Sequence, residues 1–356
     1  MKNIYSRKFH PMTDIEEHLF REFTKMFNTA ADEGFAKSVD PDDDFRAAIR
    51  HNNAVFAAFK THRLQNDMAA RLLDENGDLK PFKQWKNDVQ SIASHQCGAW
   101  LRTEYDTAVI RARQAADWKQ FERERDVLPN LKWLPSTSLT PGEDHRPFWG
   151  TILPIDHPFW NQHRPGDRWN CKCDLTSTDE PPTKVPVDTD NDNPHRGLDN
   201  NPGKDAKLFS DNHPYVSHAY EGAKLAVEKA VGKAEFHEIK KEARRSLQGT
   251  TLTHPEFKDG IKISRRSIDE WTNQPHIHYA EKNRLILSID EILREAKYLG
   301  KKDDISTKPG TKFVHIFEVE IKNDKSWILI KEYQDGNTIL YSISDSPNVL
   351  IGLKEK

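Results

Sequence analysis

The chain has 356 residues, 36% of them hydrophobic and 31% charged, enough for two or three domains with modest cores and a heavily solvated surface. A formal charge of −3 argues against a protein that coats nucleic acid, because such proteins carry a basic excess. Three cysteines make no secreted disulfide framework, no apolar run reaches membrane-spanning length, and the N-terminus lacks a signal-peptide core; a soluble cytoplasmic product without a membrane partner is expected.

Helical spacing dominates the first third of the chain. From Asp14 to Leu73, Ile15, Leu19, Phe23, Met26 and Phe27 form one stripe, and Phe45, Ile49, Val55, Phe56 and Phe59 form another. Pro41 followed by three aspartates suits a helix N-terminus, where acidic groups meet the positive end of the dipole. A third helical stretch is predicted over 82–125, with Trp85, Trp100 and Trp118 among its packing residues.

His145–Gly150 and His157–Cys173 then crowd three His, three Trp and two Cys into a segment broken by Pro and Gly, with no helical or strand period. Ordering such a loop must be offset by dense side-chain contacts. Thiolate and imidazole together suit tetrahedral zinc, so Cys171 and Cys173 with His157, His163 or His145 have the donor types of a metal site. The Cys-x-Cys spacing is tighter than a usual zinc knuckle, and the preferred reading is reduced thiols packed as small apolar groups, with no cofactor. Residues 176–212, rich in Pro, Asp, Asn and Thr, read as a tail or linker. Residues 220–247 read as a charged, solvated spacer helix.

The texture changes from Gly260. Ile261–Ser264 is a strand candidate, and Ser267 with Glu270 makes a capping-box pattern for a helix through Trp271. Lys282–Ile289 is a strand or the start of a helix, and a helix over Asp290–Leu299 is expected to close at Gly300. Three β-like runs follow, Lys312–Ile321, Trp327–Glu332 and Thr338–Ser344, separated by hairpin signals. The fold expected is multidomain: a mainly α module with an irregular His/Trp/Cys loop over 1–215, a charged linker helix over 216–255, and a small α+β domain over 256–356, its helices packed on an antiparallel β-meander.

The order His145…Gly150…Phe159-Trp160…Gly166…Trp169-x-Cys171-x-Cys173 resembles the closing segment of the head-morphogenesis domain of phage Mu F-like minor head proteins. Asn201–Lys204, Leu208–Tyr215 and the Leu101–Arg113 run resemble the same family, over roughly residues 40–215. The resemblance implies portal and capsid partners, assembly in the host cytoplasm and a place in the virion. The last hundred or so residues resemble toxin-like modules of the barnase/EndoU/colicin/RelE-like nuclease fold, through the elements around Asp269–Trp271, Gln274–His276, Ser326–Ile328 and Tyr341–Asp345. That likeness implies metal-independent RNA cleavage and an immunity protein as partner.

Such cleavage needs a base for the 2′-hydroxyl, an acid for the leaving oxygen and a cation for the phosphate. His276 and His315 are the candidate acid–base pair, Lys282 the cation, and Ser342 and Tyr341 the hydrogen-bond or stacking groups. A purely structural head-assembly protein with a non-catalytic C-terminal binding module is the alternative. An ADP-ribosyltransferase ranks last, because Glu318 and Glu320 supply carboxylates without the rest of that site.

Overall fold

Carboxylates start the two helices that frame the N-terminal half. The side chain of Glu16 accepts from the Leu19 amide at 2.7 Å, and that of Asp42 from the Phe45 amide at 2.7 Å, each satisfying a first-turn donor. A computed structural model describes residues 1–7, 9–38, 41–141, 143–186, 193–304 and 310–354. It divides into two compact units, Met1–Val231 and Gly232–Lys356.

The first unit opens with α1 (Lys2–Tyr5), α2 (Glu17–Phe35) and α3 (Asp43–Ala69). Phe20, Phe23, Phe27, Ala30, Ala31 and Phe35 are the buried face of α2, whereas Ile15, Leu19 and Met26 are only half-buried. The third helical stretch is not continuous. It runs as α4 (Phe82–Asp88), α5 (Gln90–Ser94), a π turn (His95–Ala99) and α6 (Trp100–Glu124), with Gly98 in a non-helical conformation. Trp85 and Trp118 are buried as expected, but Trp100 beside this break is 52% exposed. Helices α2 and α6 touch through Gly34, where an added Cβ would stand 2.4 Å from the Val109 carbonyl oxygen.

After α6 the chain makes β1 (Asn130–Leu134), β2 (Ile152–Pro154), α7 (Phe159–Gln162) and β3 (Asp174–Thr178), with the sheet in the order β2–β1–β3 and antiparallel throughout. The loop that shows no period in sequence is therefore strapped to a small sheet. Its aromatics Phe148, Phe159 and Trp160 join Trp118, Leu131, Trp133, Leu153 and both loop cysteines in one core.

Residues 194–215 are no free tail. Helices α8 (Pro202–Asp205) and α9 (Pro214–Ser217) lie in this segment, and Leu198, Leu208, Phe209 and Tyr215 are buried. The anchor is polar: the fully buried Arg111 of α6 donates five hydrogen bonds, to the carbonyls of Gly166, Leu198, Asn200 and Leu208 and to Asn200 Oδ1. Helix α10 (Ala223–Leu247) is not a solvated spacer either. Ala223, Ala226, Val227 and Val231 are buried, and Ala243 belongs to the core of the second unit. The unit boundary falls inside α10, so residues 216–255 make no separate piece.

The second unit contains β4 (Thr251–His254), β5 (Phe257–Lys262), α11 (Arg265–Asn273), α12 (Tyr279–Leu285), α13 (Ile289–Glu295), β6 (Lys297–Asp303), β7 (Thr311–Ile321), β8 (Asp324–Tyr333) and β9 (Thr338–Ser344). The sheet order is β4–β5–β9–β8–β7–β6; β6 to β9 are an antiparallel meander, and β5 joins β9 in parallel. Trp271, Ile286, Ile289 and Leu293 of the helical segment pack on Phe317, Ile328, Ile330, Leu340 and Ile343 of the sheet. The cap of α11 is Ser264, with Ser267 as its reciprocal partner, one turn earlier than the sequence pattern suggests. Residues 282–289 are helical, the next helix stops at Glu295, and Gly300 sits inside β6 at a register shift, with φ +132°.

Candidate functional site

The irregular segment of the first unit gathers its chemistry at one point. The 3₁₀ turn Glu143–Phe148 delivers His145, and Asn170, in the left-handed region at φ 59°, turns the chain into Cys171. His145 Nδ1 lies 3.2 Å from Cys171 Sγ and 3.6 Å from Cys173 Sγ. Its other nitrogen, Nε2, is 2.7 Å from Asp167 Oδ1, a carboxylate sealed from solvent. Burial opposes charge at both groups, yet their mutual hydrogen bond raises His145 to a pKa of about 9 and, with His163, lowers Asp167 to about 2. The neighbouring Cys171 thiol draws the Cys173 sulfur toward thiolate against burial; His145 and the indoles of Trp133 and Trp149 act in the same direction. Cys171 is pushed up by the Cys173 sulfur and by burial.

Of the histidines first paired with these cysteines, His157 and His163 do not join them. His157 Nδ1 accepts from the Phe159 amide at 3.2 Å and starts α7, while His163 Nδ1 faces Asp167 Oδ2 at 3.8 Å. Among the described residues, the donor atoms close enough to share one ion are those of His145, Cys171 and Cys173, all within 4.8 Å of one another. Spacing along the chain does not choose between three histidines of one loop. Asp167 in the loop and Arg111 in α6 were not legible in the sequence, for a charged residue carries no local mark of burial.

The nuclease candidates of the second unit are dispersed over three places. His276 Nε2 lies 3.1 Å from Ser326 Oγ, and its Nδ1 accepts from the His278 amide. Lys282 is fully buried and donates to the carbonyls of Trp271 at 2.5 Å and Gln274 at 2.9 Å, tying α12 to the end of α11. Burial lowers its pKa to about 8.

His315 sits further along the same sheet face, with Tyr298 Oη 2.8 Å from Nδ1, Glu332 Oε2 2.8 Å from Nε2 and the Phe257 ring edge-on. Burial lowers its pKa against the pull of Glu332. Ser326 pairs with Val319, and His315 with Ile330. The strand position that His276 contacts is therefore four positions from His315, roughly 13 Å along the strand, with Phe317 and Ile328 between. Ser342 pairs with Leu329, outside the core row of Ile328 and Ile330, and the Tyr341 ring lies under Lys331 Nζ at 4.2 Å. Neither residue reaches a histidine pair.

A different pair does converge. The rings of His276 and His278 are 6.1 Å apart, His278 Nε2 lies 2.7 Å from Asp324 Oδ2, and Asp345 Oδ2 accepts from the Ile277 amide between them. Burial lowers the pKa of His276 while Asp345 opposes that shift.

Residues 75–176 match the model of the family described as Phage Mu protein F like protein, and residues 233–341 match Large polyvalent protein-associated domain 3. The first match spans α6, the three-stranded sheet and the His145–Cys173 segment; the second spans most of the second unit. Together they support a phage Mu F-like protein that also carries a large polyvalent protein-associated domain. No curated protein and no solved structure matches the chain.

Proposed function

We propose that this chain is a phage head protein that acts in head assembly, its first unit joining portal or capsid subunits. The observation that carries this reading is the Mu F-like match across 75–176, laid over the segment that supplies the aromatic and cysteine core of the first unit. In this reading the protein is made in the host cytoplasm and retained in the virion. A tagged chain expressed during phage growth is expected to co-purify with portal or capsid protein and to be present in purified particles. Its absence from particles overturns the reading.

The second unit travels in the same protein as an RNA-cleaving effector, and the closeness of His276 and His278 favours this over a passive binding module. His278, oriented through Nε2 by Asp324, takes the proton of the 2′-hydroxyl as O2′ attacks phosphorus and returns it to the departing 5′-oxygen, leaving a 2′,3′-cyclic phosphate; His276, whose Nδ1 accepts the His278 amide, holds His278 in place. Lys282 serves as a positioning residue, because its ammonium is spent on two carbonyls. A cell making such an activity needs an immunity partner.

The test is incubation of the full chain with total RNA in a buffer without added divalent metal. Cyclic-phosphate products, lost by roughly 100-fold or more in His276→Ala and His278→Ala, are expected. Intact RNA would leave the second unit as a binding module, and 5′-phosphate products would overturn the transesterification mechanism.

A further inference from the structure

Reduced thiols that merely fill a core need no imidazole between them. Here a single imidazole nitrogen faces two sulfurs, and its other nitrogen is fixed by a buried carboxylate. This is the device that orients a metal-bound histidine. The spacing fits as well. Zinc bonds of about 2.3 Å to sulfur and about 2.0–2.1 Å to nitrogen, at a tetrahedral angle, separate the two donors by about 3.6 Å. The observed separations are 3.2 and 3.6 Å.

We propose that His145 Nδ1, Cys171 Sγ and Cys173 Sγ bind one zinc ion in the first unit, with Asp167 fixing the histidine and water completing the tetrahedron. Cys171, the most exposed of the three at 9%, marks the side from which the water reaches the ion. The indole N–H groups of Trp133 and Trp149 face Cys173 and have no other acceptor among the described residues, so they supply N–H donors to a metal-bound sulfur. The ion ties the 3₁₀ turn carrying His145 to the start of β3, which immediately follows Cys173. Binding releases to solvent the protons that His145 Nδ1 and the two sulfurs share, as all three atoms become ligands.

The experiment uses the full chain, purified reduced and without chelator. Elemental analysis is expected to give one zinc per chain. Replacement by Co²⁺ is expected to give thiolate-to-cobalt charge transfer and the visible bands of a tetrahedral ion. His157→Ala should leave both unchanged, Asp167→Asn should weaken Co²⁺ binding roughly 10- to 100-fold, and Cys173→Ser should abolish the charge-transfer pattern of two thiolates. Should Cys173→Ser fail to fold, the wild-type chain decides: its Cys171 and Cys173 should resist a thiol reagent until a chelator is added. Absence of both zinc and cobalt bands in the reduced wild-type chain overturns the proposal, as does their persistence in a folded Cys171→Ser, Cys173→Ser double variant.

Discussion

Arg111 Nε donates to the carbonyl of Leu208 at 2.6 Å, across 97 residues of chain. The same guanidinium serves three further carbonyls, so one side chain holds a segment whose composition alone would leave it loose. Replacing it with methionine keeps some of the volume and leaves those carbonyls without their donor. Each buried acceptor left unsatisfied costs about 1–3 kcal/mol. Arg111→Met is expected to lower the stability of the first unit by more than about 3 kcal/mol, read by chemical denaturation with Trp fluorescence. A shift below 1 kcal/mol would mean that this anchor is dispensable.

The docked segment also fixes where a protease enters. Residues 179–185 are all exposed, whereas Leu198, Leu208, Phe209 and Tyr215 are buried. Trypsin is expected to cut after Lys184 well before Lys204 or Lys207, as followed by intact mass over time. Early cleavage after Lys207 would show the segment undocked. As polar stretches, Thr176–Asn193 and Gln248–Thr253 read alike in the sequence. Thr176–Thr178 lies in β3, Thr251–Thr253 lies in β4, and 187–192 falls outside the described residues.

His213 makes the first unit sensitive to acid. It caps α9 by accepting the Tyr215 amide and packs against Phe56 and Tyr215; burial, then the nearby cations Lys60 and Arg196, lower its pKa to about 3. The unfolded chain, with its histidine at about 6.5, binds the proton more readily. Stability is therefore complete above about pH 6.5 and falls as pH drops toward 3, by up to about 1.4 kcal/mol per pH unit from this group. In His213→Asn, which keeps a cap of suitable length, the slope between pH 6 and 4 should shrink by about that amount. An unchanged slope would assign the acid response to other groups.

Lys282 acts in the opposite pH range. Its folded pKa of about 8 lies below the ordinary 10.5, so between these values the unfolded chain holds the extra proton and stability rises with pH. Denaturation of the second unit at pH 7.5 and 10 should show this gain in the wild-type chain and lose it in Lys282→Met. A gain of equal size in the variant would place the titration elsewhere.

What the sequence disclosed follows from which forces leave a pattern. The starts of α2 and α3 and the meander of β7 to β9 were legible, because caps, stripes and turn residues write themselves locally. Strand β6 was not, since Lys297–Asp303 has four charged residues and a bulge where alternation should be. The 194–215 segment was misjudged because its docking runs through backbone carbonyls, which hydropathy does not register. The zinc donors were legible as residue types, but only the 3₁₀ turn decides for His145 over His157 and His163. The pairing of His276 with His315 assumed a proximity that the sheet forbids, because His276 meets β8 at Ser326, four positions from the partner of His315.

The parallel register of Lys262 with Ile339 sets an order of events. Strand β5 leaves the ribosome early, yet its sheet neighbour β9 is the last strand of the meander to be made. Closing a loop of that span carries an entropic cost that a local hairpin does not, so β4 and β5 wait as an unsupported hairpin until synthesis reaches β9. Until then the apolar residues Leu252, Phe257 and Ile261 lack their final cover. The nascent second unit is thus kept from maturing until β9 has been made, which delays any activity it carries to that point.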